Sequence, residues 1–391
     1  MRVFVGEFLC GGGMASTPLE QISPSLLNEG RAMWHALVTD LAAWANVLTP
    51  LDARLNDLAD DLPRNVQRFT LNASADLQDA WLDAARACDV AIVVAPETDG
   101  ELHRLVTLFR ESGVKVLAVD ETVIRMTTDK WLTALWLDEH GIATPATWTN
   151  PRESNNGAFH KISRRGSVGL DAKRWVRKPR DGCGSDSIRV FDDRASAGSN
   201  LQSHEIMQAW VEGRPASILV VGGMTCATSN RVPAPIVCPV MWQHCDWDAG
   251  DSARTSQSCP TSICYRGGSG PIEPDLQSRG RALADQVLQA MPKPPRGFLG
   301  IDLLLGDRPE DDCVIEINPR LTTSYIGVRE LASQNLTSIW NSPERLNSPG
   351  AIDTGHCNKV SSERPFGCSS DQVRWTVEGD VHVVDHRSDA R

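Results

Sequence analysis

The run CVIEINPRLTTSY (residues 313–325) places Glu316, Asn318 and Arg320 at alternate positions, and FLGIDLLLG (298–306) carries Asp302 in the apolar run before it. Two β-compatible runs joined by the polar loop 306–312 are most simply an antiparallel hairpin. If Leu305 pairs with Cys313, Asp302 falls opposite Glu316 and Gly300 opposite Asn318. Side chains alternate, so Asp302, Glu316 and Asn318 share one face, while Leu303 with Ile315 and Ile301 with Ile317 make the other. Carboxylates opposed across a ladder repel, and removing them from water is costly unless something compensates. Two carboxylates and an amide oxygen, with coordination positions to spare, suit Mg2+ or Mn2+ shared with water and a polyphosphate better than a full calcium cage. The same spacing fits a solvated sheet face, or one carboxylate protonated by its neighbour.

A second constellation is RWVRKPRDGCGSDSIRVF (174–191), read as a hairpin around RDGCGSD. Gly182 and Gly184 permit close backbone approach, so successive amides could cradle phosphate oxygens while Lys178 supplies a point charge. A bare Asp-Gly hairpin turn explains the same residues, and the Walker A spacing is absent. A third is Lys130, in the first turn of a helix over TTDKWLTALWLDEHGIATP. Thr127 or Thr128 is expected to cap that helix, and Gly141 and Pro145 to end it. A lysine there opposes the helix dipole by a few tenths of a kcal/mol, yet both would favour one bound anion; a solvated lysine is the alternative.

The elements that must position these residues follow from pattern. RVFVGEFL, EGRAMWHALVTDLAAW, NVLTPLD, DVAIVVAP, GELHRLVTLFRESG and KVLAVD alternate strand-like and helix-like runs over residues 1–120, the signature of an α/β layer with a mainly parallel sheet. CGGG after the first strand lacks the dinucleotide spacing and reads as a ligand-approach loop or a tight turn. Residues 151–173 and 243–275 are polar, rich in Gly, Ser and Asn, and are expected to be long loops. SRGRALADQVLQAM is an amphipathic helix, and QVRWTVEGDVHVV closes the chain as a hairpin.

The composition bounds the function. In 391 residues, 41% hydrophobic and 23% charged, the net charge of −11 argues against a nucleic-acid protein, which neutralises phosphates with clustered Lys and Arg. No apolar run approaches the roughly 18 residues of a membrane span, and the N-terminal run lacks a signal-peptide cleavage pattern, so a cytoplasmic location is expected. Eleven cysteines, scattered and without a CxxC pair, suggest neither a disulfide framework nor a zinc ribbon.

The order of DKW at a helix start, VRKPRDGCGS, MQAWVEGRPAS, GFLGIDLLL and VIEINPRLTTSY resembles the ATP-grasp superfamily over roughly residues 1–335. That resemblance implies an α/β and α+β fold: a parallel-sheet pre-ATP-grasp domain (1–120), a small lobe with a glycine-rich flap (121–205), a large lobe with the metal site (206–345) and a C-terminal tail (346–391). It implies ATP and Mg2+ or Mn2+, as two ions bridged by Glu316 and held also by Asp302 and Asn318. Lys130 and Lys178 would contact ATP phosphates, and Gly182, Cys183, Gly184 and Ser185 would form the flap. Trp210 and Val211 would hold adenine through the hinge after Gln208. Arg320 would stabilise the acyl phosphate or tetrahedral intermediate, with Lys178 offsetting phosphate charge. Relatives often carry an acidic residue for the ribose where Pro215 stands here; Glu212 could substitute.

EFLCGGG, VVAPETDGEL, NPRLTTSYIG and SICYRGGSGPI look most like the tyramine-glutamate ligase family of methanofuran-type cofactor biosynthesis. What this implies is a small-molecule carboxylate joined to a small-molecule amine, in an enzyme that admits a homodimer. Glu97 and Glu7 would meet the amine, and Thr322, Thr323 and Ser324 would line the carboxylate pocket; alternatively, Glu97 only caps the following helix. A relative of the lysine-ornithine ligase of pyrrolysine synthesis, and a silent ATP-binding protein, are the competing readings.

Overall fold

A computed structural model describes residues 1–59, 61–150, 160–162, 167–182, 188–224, 233–248, 261–341, 366 and 372–384. Within them the N-terminal part is a four-stranded parallel sheet, in the order Val66–Leu71, Asn46–Asp52, Arg2–Glu7, Val90–Val94. Its strands are apolar because helices cover both faces. Val3 and Val5 pack with Trp34, Leu37 and Leu41 of the helix Pro24–Ala42, whereas Phe4, one step along the strand, packs with Trp81 and Phe109 of the helices Leu77–Arg86 and Glu101–Glu111. KVLAVD, expected as a further strand, contributes only an isolated parallel bridge, Ala91 to Val116. The strand Val66–Leu71 went unanticipated, since only Leu71 of its six residues is buried and its hydrophobic signal is weak.

A helix Glu121–Thr128 and a second, Lys130–Glu139, lead into a larger sheet. The cap expected at Thr127 or Thr128 is supplied by Asp129, whose carboxylate accepts from the Trp131 and Leu132 amides. The two threonines belong to the preceding helix, and Asp129, in an extended conformation, breaks the two apart.

The larger sheet runs, from one edge, Cys313–Asn318, Gly297–Leu305, Arg214–Gly222, Ile236–Asp248, Thr261–Gly270, Arg189–Phe191, Trp175–Pro179, Glu205–Ala209, Thr147–Thr149 and His160–Ile162. The hairpin Gln372–Thr376 with Val381–Val384 adds itself to Thr261–Gly270. Leu299, Ile301, Leu303 and Leu305 face the helix Pro274–Ala290, and Phe298 turns the other way to Tyr325 and Trp340, with ring centroids 5.5 and 5.2 Å apart.

Segment 243–275, expected as loop, is strand over 243–248 and 261–270; residues 249–260 lie outside the described residues, as do 151–159 and 163–166. Its glycines are clearances rather than loop punctuation. A Cβ on Gly268 would stand 2.3 Å from Trp375 Cζ2, and one on Gly327 2.2 Å from Trp375 Cε3. Trp375 lies in that gap, 1% exposed.

Candidate functional site

The strands Gly297–Leu305 and Cys313–Asn318 pair Gly300 with Asn318, Ile301 with Ile317 and Asp302 with Glu316. Beyond Asp302 the register shifts, so that Leu303 opposes Val314 and Leu304 opposes Cys313. The expected pairs Leu303–Ile315 and Leu305–Cys313 are therefore displaced by one: a bulge absorbs Ile315, which keeps Val314 in the core while Glu316 stays on the polar face.

Asp302 accepts hydrogen bonds from Gln243 Nε2 to Oδ1 and from Asn318 Nδ2 to Oδ2, each at 2.9 Å. Burial, then the Glu316 charge, pushes its carboxyl up to about 7 against those two bonds. Glu316 lies 2.9 Å from Lys130 Nζ. Burial raises the Glu316 pKa, but Lys130 and Lys178 outweigh it, and the carboxyl is held below its ordinary value. Lys178, 4% exposed on Trp175–Pro179, is lowered to about 8 by burial and by Lys130, against the pull of Glu316 and Asp302.

The glycine hairpin is tied to this cluster from its stem. Lys130 Nζ donates to the Gly182 carbonyl at 2.8 Å, and the Lys130 amide donates to the Arg180 carbonyl at 2.7 Å. Asp129 accepts from Arg180 Nε at 3.1 Å and Nη2 at 2.5 Å. Gly182 holds a φ of +130°, reached readily only by glycine. Cys183, Gly184 and Ser185 lie outside the described residues.

Arg320 forks onto Glu97, Nε to Oε1 at 2.9 Å and Nη2 to Oε2 at 3.0 Å, with side chains 12% and 3% exposed. Both Glu97 oxygens, expected at an amine, are thus engaged by a guanidinium, and the carboxylate caps no helix. Thr322 packs where Gly300 lacks a side chain, a Cβ there falling 2.6 Å from Thr322 Cγ2. The Thr322 and Ser324 hydroxyls share a hydrogen bond at 2.9 Å, and Thr323 Oγ1 donates to the Tyr265 hydroxyl at 3.0 Å. That hydroxyl also accepts from Trp375 Nε1 at 3.3 Å, so the C-terminal hairpin reaches the loop after Arg320. Gln243 carried no sequence signal, and SICYRGGSGPI and QVRWTVEGDVHVV did not reveal that Tyr265 and Trp375 reach this loop, because these strands meet it only through pairing between strands distant in sequence.

Gln208, expected at the adenine hinge, is 4% exposed in an inner strand, opposite Thr147 on one side and Val176 on the other, and its side-chain amide donates to Thr147 Oγ1 at 3.0 Å. Arg174 stacks 4.6 Å over the Trp210 ring and pairs with Glu212 at 2.7 Å. Val211 is half-buried beside Gly169, and Pro215 pairs with Leu304 inside the sheet.

The donor set fits a divalent ion arriving with a polyphosphate better than a bare ion. Lys130, Lys178 and Arg320 already offset Asp302, Glu316 and Glu97, and a phosphate drawing Lys130 to itself would free Glu316 for a cation. Among the described residues no cluster of three His, Cys, Asp or Glu forms an all-protein metal cage, and no helix is long and apolar enough to cross a membrane.

Comparison with known proteins gives a consistent picture. The ATP-grasp domain model matches residues 127–324, and the pre ATP-grasp 3 domain model matches 45–124. The tyramine--L-glutamate ligase of Methanocaldococcus fervens is 24% identical over 316 residues, covering 78% of this chain and 84% of its own. That of Methanocaldococcus jannaschii is 21% identical over 311 residues, covering 78% and 80%. Among solved structures, an ATP-grasp superfamily protein from Archaeoglobus fulgidus superposes with a TM-score of 0.60 at 19% identity, covering 88% of each chain.

Proposed function

Because this chain belongs to the ATP-grasp family and is an ATP-dependent carboxylate–amine ligase, we propose that it joins the γ-carboxylate of glutamate to tyramine, releasing ADP and phosphate, in methanofuran-type cofactor biosynthesis. Support for these substrates comes from the two relatives called tyramine--L-glutamate ligase. The observation that carries the chemistry is the convergence of Lys130, Lys178 and Arg320 on the opposed pair Asp302 and Glu316.

In this reading a substrate carboxylate oxygen attacks the γ-phosphorus of ATP, ADP leaves, and the amine nitrogen attacks the acyl carbon with loss of phosphate and a proton. Lys130 and Lys178 offset phosphate charge as it redistributes, and Arg320 faces the oxygen that becomes anionic at the acyl carbon. Asp302, Glu316 and Asn318 would hold Mg2+ or Mn2+, which would supply further charge neutralisation between phosphate oxygens. Glu97 aims Arg320, while Thr322, Thr323 and Ser324 line the approach of the carboxylate. Gly182 would cover the phosphates together with Cys183, Gly184 and Ser185, which lie outside the described residues, and Gln208, Trp210 and Val211 would hold adenine. The domains divide near residues 120, 205 and 345.

The test is an ADP-release screen of glutamate against a panel of amines, tyramine included. Release that requires both substrates is expected. ATP binding with no amine- and carboxylate-dependent ADP release would overturn the proposal in favour of a silent nucleotide-binding protein.

A further inference from the structure

The strand Arg214–Gly222 lies between the strand that carries Asp302 and the strand Ile236–Asp248. Its run ASILVV is apolar except at Ser217. Ala216, Ile218 and Val220 pack with Leu283, Ala284 and Val287 of the helix Pro274–Ala290, while Leu219 and Val221 pack on the other face. Ser217 belongs to the face of Leu219 and Val221 and is 3% exposed. Its hydroxyl has no hydrogen-bond partner among the described residues. A buried hydroxyl left unpaired is costly, so the position calls for a partner that comes from elsewhere.

Its neighbours indicate which. Ser217 stands directly opposite Asp302 on one side and Met241 on the other. Opposed residues share a face with their Cβ atoms about 4.5–5.5 Å apart, a separation across which a water bridges a hydroxyl and a carboxylate. Met241 offers only a thioether. Gln243, two residues further along the same strand, reaches Asp302 and donates from Nε2 to Oδ1 at 2.9 Å, as Asn318 Nδ2 does to Oδ2. One amide donor on each oxygen fixes the plane of the carboxylate and leaves both oxygens with acceptor capacity. Gln243 itself pairs opposite Gly268, where the missing side chain makes room for the buried Trp375 indole on that face.

We infer that Gln243 and Ser217 are positioning residues of the cation site: Gln243 sets the plane of Asp302, and Ser217 Oγ accepts a proton of a water that a divalent ion brings to that carboxylate. The inference rests on the ligase reading only in taking Mg2+ or Mn2+ with a polyphosphate as the occupant. Such small hard ions part reluctantly with their waters, and those waters need acceptors for their protons. An anionic group at Ser217 would be repelled by Asp302, and an apolar one would leave the hydroxyl unpaired.

The test titrates the full chain calorimetrically with AMP-PNP, a non-hydrolysable ATP analogue, once with Mn2+ and once in EDTA. Gln243→Met, similar in length but without the amide, and Ser217→Ala are each expected to weaken binding with Mn2+ by about tenfold or more, with metal-free binding unchanged. Ser217→Thr, which keeps the hydroxyl, should stay within about twofold of the parent chain. Without metal, Ser217→Ala should leave the thermal midpoint equal or higher, because it removes an unpaired hydroxyl from the fold. A serine that only supported the fold would show the reverse, a lower midpoint with metal affinity intact. Unchanged Mn2+-dependent binding in either variant, a loss shared equally by the metal-free analogue, or a lower metal-free midpoint for Ser217→Ala overturns the inference. Should Gln243→Met fail to fold, the contrast of Ser217→Ala with Ser217→Thr decides it. A Mn2+-dependent loss in both variants, in a chain that releases no ADP with any amine, upholds the inference and removes only the ligase reading.

Discussion

If Glu97 acts only by holding Arg320, its removal should matter in one background and reverse sign in the other. Glu97→Gln removes the charge from a carboxylate that receives two guanidinium bonds at 2.9 and 3.0 Å, between side chains 3% and 12% exposed. Each such bond to a charged group contributes about 1.5–3 kcal/mol. The amide keeps one acceptor but turns its NH2 toward a guanidinium, so a loss of about 2 kcal/mol, roughly 30-fold in kcat, is expected. Arg320→Met strands a buried carboxylate and should cost about 3–5 kcal/mol of stability besides most of the activity. In that background Glu97→Gln removes the stranded charge, so it should raise the thermal midpoint and leave kcat unchanged. Four proteins, assayed by ADP release and by thermal unfolding, complete the cycle. Glu97→Gln lowering the midpoint in both backgrounds, or kcat losses that multiply in the double variant, would refute the coupling.

Other predictions follow from the same geometry. Glu316→Gln, which keeps a hydrogen-bond acceptor for Lys130, should abolish turnover with an unchanged circular dichroism spectrum; an unfolded spectrum would make Glu316 structural. Gly327→Ala forces a methyl group onto Trp375 and should destabilise the protein by about 1–3 kcal/mol in denaturant titrations, against less than about 0.5 for an exposed surface control. Burial raises the Asp52 pKa, but hydrogen bonds and charge from Arg54 outweigh it, so the carboxyl is depressed in the folded protein. Its stabilising contribution is therefore full above the unfolded value of about 4 and is lost as pH falls through the depressed folded value; Asp52→Asn should flatten that acid limb in thermal scans.

Much of the site was legible because its signals are local. Asp302 and Glu316 face one another across a short hairpin, and Gly182 and Lys178 belong to another. The bulge at Ile315 was not legible, since one residue more or less in a loop leaves the hydrophobic pattern unchanged until core packing decides it. The strand status of Thr261–Gly270 was hidden for the opposite reason: CYRGGSG looks like loop chemistry until Trp375, more than a hundred residues later, is seen to fill the space over Gly267 and Gly268. Glu97 shows the same limit. A buried carboxylate near a ligand motif reads as a ligand group, and only the pairing with Arg320, 223 positions away, gives it another role.

The contact of Trp375 with Tyr265, and through it with Thr323, orders events in time as well as in space. Strands Arg2–Glu7 and Val90–Val94 can pair while the chain is still being made, but the hydroxyl that Thr323 donates to receives its second donor only after residue 375 has emerged. A nascent chain stalled short of that point would carry Lys130, Lys178, Asp302 and Glu316 with an incompletely braced loop beside them. The bracing of Tyr265, and through it of Thr323, is thereby complete only once residues 372–384 have paired with the strand Thr261–Gly270.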